Sequence, residues 1–85
     1  MMITAELSLY PLQNDYIEVI QTFIEKLNER EGLSVRTNAM STQLLGEAPA
    51  VFDEVQELLE QSALRFGDQV LFCKFIPKPL AIDAG

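Results

Sequence analysis

A two-layer α+β sandwich, with two helices on one face of a four-stranded antiparallel sheet, is the fold class this sequence predicts. Three observations point to it. The chain opens on a run that alternates polar and apolar with period two, carries two stretches with apolar residues at helical spacing, and ends its second half on an apolar strand-like run. Its 85 residues suit one small domain, because two cores would hold only about forty residues each. Hydrophobic residues at 48% and charged residues at 22% are too apolar a balance for disorder.

Residues 2–10 place Ile3, Ala5, Leu7 and Leu9 on one face and Thr4, Glu6, Ser8 and Tyr10 on the other, which is the pattern of a strand with two unlike faces. Pro11 is expected to end it. Asn14 or Asp15 then suits a helix cap, with Glu18 three residues after Asp15 as in a capping box. Ile17, Ile20, Ile24 and Leu27, flanked by Tyr16 and Phe23, form the apolar stripe of the first helix, which should stop at Gly32. Two short strands follow, near 33–39 and 41–46, joined tightly around Asn38-Ala39-Met40-Ser41. Pro49 fits the first turn of a second helix, where its missing N–H costs nothing. Val51, Phe52, Val55, Leu58, Leu59, Ala63 and Phe66 mark the stripe expected to be buried, and Gly67 closes the helix. Residues 69–76 form the last strand, with Leu71, Cys73 and Phe75 facing the helices and Val70, Phe72, Lys74 and Ile76 facing away. The order β-α-β-β-α-β, with right-handed crossovers, gives a ferredoxin-like sandwich with strands one and three central. Residues 1–76 make the domain, and 77–85 make a C-terminal tail begun by Pro77 and Pro79.

Charge and composition exclude several functions. Six Lys and Arg against thirteen Asp and Glu give a formal charge of −7, the wrong sign for a nucleic-acid backbone. With one Cys and no His, disulfide frameworks, zinc sites and His-based catalysis are ruled out. There is no Gly-rich phosphate loop and no nucleophile beside a base, so the expected class is a non-enzymatic binding protein without catalytic residues, metal or cofactor. No apolar run is long enough to span a membrane, and the N-terminus lacks the basic region of a signal peptide. Cys73 in an apolar run reads as an inert core thiol in a reducing compartment, and a cytoplasmic protein is expected.

The face turned away from the helices is informative. Val70, Phe72, Ile76 and Tyr10 would make it too apolar to stay in water, so a cover is expected, most simply a second copy of the chain. Ten of the thirteen acids fall in the helical segments and read as solvated faces. Glu6 alone lies within a strand, on the open face. There it either pairs with Lys74 or Arg36 or serves a cationic or amino-bearing ligand.

Several stretches together resemble a known family. Ser8-Leu9-Tyr10-Pro11 precedes an acid-led helix at Asp15-Tyr16, and Asn38-Ala39-Met40-Ser41-Thr42-Gln43-Leu44-Leu45-Gly46-Glu47 precedes a helix with Val51-Phe52. This is similar to the YkoF-like thiamine-binding family, which pairs S-x-Y-P with M-[GS]-T-x-x-x-G-[DE] and a following Val-Phe, over about residues 3–76. The resemblance implies a ferredoxin-like domain, assembly through open sheet faces into dimers or tetramers, and binding of thiamine or its hydroxymethylpyrimidine part. Ser8, Tyr10, Met40, Ser41 and Thr42 stand at matching positions, while Glu6, Asn38 and Phe72 join the candidate site through the face they share. Tyr10 or Phe72 would stack on a ligand ring; Ser8, Thr42 and Asn38 would offer neutral hydrogen bonds; Glu6 would accept from an amino group. The competing reading is a regulatory or structural module whose open sheet face binds a partner protein.

Overall fold

The computed structural model describes residues 1–82. Its elements are β1 (Met2–Pro11), α1 (Tyr16–Glu29), β2 (Ser34–Thr37), β3 (Thr42–Glu47), α2 (Ala48–Phe66) and β4 (Gln69–Ile76). All strand pairs are antiparallel in the order β2-β3-β1-β4, so β1 and β3 are central as the sequence requires. Pro11 ends β1 as expected, pairing as its last residue with Gln69 of the edge strand.

The core lies between the sheet's inner face and the helices. Ile3, Ala5 and Leu7 of β1 and Leu44 of β3 meet Phe23 and Leu27 of α1 and Val51 and Leu58 of α2. The helix stripes are rotated from expectation. On α1 the buried line is Val19, Phe23 and Leu27, while Tyr16 and Ile17 are exposed. On α2 it is Val51, Glu54, Leu58 and Ser62, while Phe52 and Ala63 are exposed. A wide apolar stripe leaves the facing angle open, and the neighbouring helix then decides it. Glu54, expected on a solvated face, is buried with Arg30 Nη1 2.9 Å from its carboxylate.

α2 closes at Gly67 as read, whereas α1 ends earlier than expected, at Glu29 with Arg30 as its C-cap, and Gly32 lies in the turn that follows. Asp15 is the N-cap of α1, without a side-chain cap bond, and Gly32 and Gly67 take the positive φ that other residues resist. Gly46 has a different role. A Cβ there would run into Leu33 and lie 3.3 Å from the Gly32 carbonyl oxygen, so β3 passes the α1–β2 turn at a separation only glycine permits.

The segment after β4 turns back over the open face. Thr4 Oγ1 donates to the Lys78 carbonyl at 3.0 Å and accepts from the Leu80 N–H at 2.9 Å. Arg36 on β2 reaches the Ile82 carbonyl at 3.2 Å. Thr4 is thereby buried although it points away from the helices.

Candidate functional site

The site follows from a mismatch in strand lengths. β1 pairs with β4 as far as Pro11↔Gln69 but with β3 only as far as Leu7↔Thr42. Over Ser8–Pro11 the β3-facing edge of β1 therefore has no strand beside it. Peptide groups along such an edge want partners. The β2–β3 turn and α1 wall off the gap, leaving a notch of about 200 Å³.

Six sequence-predicted site residues line this notch: Ser8, Tyr10, Asn38, Met40, Ser41 and Thr42. Each is held differently. Asn38 Oδ1 accepts from the Met40 and Ser41 N–H groups at 2.8 and 3.0 Å, and the Asn38 N–H donates to the Ser41 carbonyl at 3.0 Å. Its carbonyl oxygen is thus committed to shaping the turn, in the manner of an Asx turn, and its amide nitrogen is what remains to offer a ligand. Thr42 is buried, its hydroxyl 3.1 Å from that of Thr37 across the β2–β3 pair. Met40 at the turn tip is 86% exposed, an apolar side chain beside the opening.

Glu6 and Phe72 stand outside the notch and touch its wall. Ser41 Oγ donates to Glu6 Oε2 at 2.8 Å, and Gln43 Nε2 donates to Ser41 Oγ at 2.8 Å. Lys74, directly across from Glu6 in the β1–β4 register, brings its Nζ to 3.5 Å from Oε1. The Ser41 hydrogen bond, reinforced by the Lys74 charge, holds the Glu6 carboxyl below its ordinary range, so it is ionised at neutral pH. Lys74 is thus the ion-pair partner of Glu6. Phe72 meets Tyr10 edge-on at 5.5 Å between ring centroids, and both rings are exposed on the open face.

Ile20, Ile24, Thr37 and Leu9 also line the notch, and sequence reasoning did not select them. Ile20 and Ile24 belong to the α1 stripe, whose periodicity marks core without separating filled from unfilled positions. No cluster of three metal-binding side chains occurs among the described residues, and no helix there is long and apolar enough to cross a membrane.

The model of the YKOF-related family matches residues 2–74. Several solved structures are similar. A Thermotoga maritima protein, assigned provisionally to thiamine biosynthesis or salvage, is 24% identical with a TM-score of 0.85 over 98% of this chain and 92% of its own. A Streptococcus pneumoniae protein is 24% identical with a TM-score of 0.84, over 98% and 94%. A hypothetical protein of Methanocaldococcus jannascii is 24% identical with a TM-score of 0.79, over 96% and 89%. No curated protein matches in sequence. At such identity the structural likeness speaks for the fold.

Proposed function

The chain belongs to the YKOF-related family, and from that premise we propose that it is a non-enzymatic, cytoplasmic small-molecule binder that takes the hydroxymethylpyrimidine part of thiamine. One observation carries the reading: six candidate residues from two stretches distant in sequence, 8–10 and 38–42, converge on one notch, at the place where β1 outruns its neighbour. At about 200 Å³ the notch is smaller than the roughly 300–1,000 Å³ of drug-sized sites, so one ring enters and the remainder of the ligand projects outward.

The chemistry suits that division. An aminopyrimidine alternates donors and acceptors, which the Asn38 amide, the Ser8 and Ser41 hydroxyls and the unpaired β1 edge complement. The thiazolium cation then lies toward Tyr10 and Phe72, where ring faces attract it, and within the field of an ionised Glu6 in a chain of charge −7. Glu6 acts chiefly by holding Ser41 in place. The name of the Thermotoga maritima neighbour is consistent with this ligand class.

We further propose that a second copy covers the open face. Residues after β4 bond to Thr4 at one end of this face, while Tyr10, Val70, Phe72 and Ile76 stay exposed on it. A homodimer, or a tetramer of two, built there would bring the partner's surface against the projecting part of the ligand. A partner protein on the same face is the competing occupant.

Calorimetry with thiamine, its phosphates and hydroxymethylpyrimidine tests the reading. Saturable binding is expected for thiamine and hydroxymethylpyrimidine, with Tyr10→Ala weakening thiamine by about 0.5–2 kcal/mol and hydroxymethylpyrimidine less. Absence of saturable binding, or affinities indifferent to both Tyr10→Ala and Ser8→Ala, defeats it.

A further inference from the structure

A second cavity, of about 430 Å³, is lined by residues of α1 and α2 alone and belongs to no part of the thiamine reading. Its floor is the buried pair Phe23 and Leu58, and Leu64, 89% exposed, stands at its lip. Ser62 lines it with only 9% of its surface exposed, and the Ser62 Oγ is buried without a hydrogen-bond partner. A mid-helix serine usually returns such a bond to its own helix, so an orphaned hydroxyl at a cavity wall needs an explanation.

The charges at the mouth run against the rest of the molecule. Lys26 and Arg65, two of the six basic residues of the chain, flank the opening. Lys26 has no ion-pair or hydrogen-bond partner among the described residues. Arg65 is held loosely, 3.9 Å from Glu18 and 4.8 Å over the Phe66 ring. A chain of charge −7 repels anions at long range, so two cations gathered at an apolar opening create a local exception.

We propose that this cleft is a binding site for a small anionic amphiphile, a medium-chain carboxylate in chemical class. Its apolar tail lies on Phe23, Leu58 and Leu64, its body passes the Ser62 wall, and its carboxylate meets Lys26 and Arg65. The volume falls within the range of sites that enclose small ligands. Phe23 separates this cleft from the notch, so the two sites are distinct cavities sharing one wall.

The test is a titration of the full chain with decanoate, and with decanamide as its uncharged counterpart, followed by calorimetry and amide NMR shifts. Decanoate should saturate below its micellar concentration, bind about tenfold more tightly than decanamide, and shift Ser62 and Leu64 rather than Ser8 and Ser41. The double variant Lys26→Gln/Arg65→Gln should abolish the preference for decanoate and leave decanamide affinity and the melting temperature as they were. Ser62→Leu, which fills the cleft, should weaken both ligands. Equal affinity for the two ligands, a preference that survives the double variant, or shifts confined to the notch overturns the proposal. Thiamine binding is measured separately, so either reading can fail while the other stands.

Discussion

Glu6 and Glu54 are perturbed in opposite directions, for opposite physical reasons. Ser41 and Lys74 stabilise the charged form of Glu6 and lower its pKa from the ordinary 4.5. Burial disfavours the charged form of Glu54 and raises its pKa from 4.5, against the pull of Arg30. Linkage gives each a sign. The stabilisation from Glu6 is complete above its unfolded value and is lost as pH falls through its lowered native value. Glu54 takes up its proton in the folded state first, so its contribution to stability improves as pH falls from its raised native value toward 4.5. Melting curves from neutral to acid pH should therefore show Glu54→Gln removing a gain above 4.5, and Glu6→Gln reducing a loss below it. A steeper acid limb in Glu6→Gln would contradict the hydrogen-bonded geometry. Cys73 corrects an expectation at the same scale. It faces the helix side, opposite Leu7, but is exposed, because the helices do not reach over the edge strand. Its apolar surroundings still raise its pKa from 9.0. A thiol reagent should label it in the native protein without unfolding, and faster with rising pH; labelling only after denaturation would return it to the core.

Two close contacts decide the behaviour of whole elements. Gly46 lets β3 run against Leu33 and the Gly32 carbonyl. Gly46→Ala must push the Leu33 side chain aside and spread the β2–β3 pair, and a loss of about 1–3 kcal/mol in denaturant unfolding is expected. Thr4 pins the segment after β4 with two hydrogen bonds from a buried hydroxyl. Thr4→Val should cost about 1–3 kcal/mol and speed hydrogen exchange at the Leu80 amide, with little change at β1. Unchanged exchange at Leu80 would mean that the segment is held by other contacts.

At the scale of the whole molecule, β4 and the strand beside it leave a group of apolar side chains in water on both sheet faces. Phe72 and Tyr10 are 64% and 54% exposed on the open face, while Phe75 stacks on Phe52 at 4.5 Å on the other. If a second copy covers the open face, Phe72→Glu places an unpaired charge in that interface and should dissociate the assembly, at about 3–5 kcal/mol. Sedimentation of both forms at micromolar concentration reads this directly, and a monomeric wild-type protein would defeat it.

Periodicity is local, and for that reason the sequence by itself determined the kind and order of every element and the facing of β1 and β4. Alternation in 2–10 assigned Ile3, Ala5 and Leu7 inward, and the same parity set Leu71, Cys73 and Phe75 on the helix side, as the register has them. Motif resemblance brought Ser8, Tyr10 and Met40–Thr42 forward as candidates. What only the tertiary structure decided was cover. Two helices span the central strands, so identical parity buries Leu7 and leaves its cross-strand neighbour Cys73 in solvent. The rotation of α2 put Glu54 and Ser62 inside where an apolar stripe was expected. The notch exists because β1 is paired further along β4 than along β3, a difference between two long-range registers that no window of sequence contains.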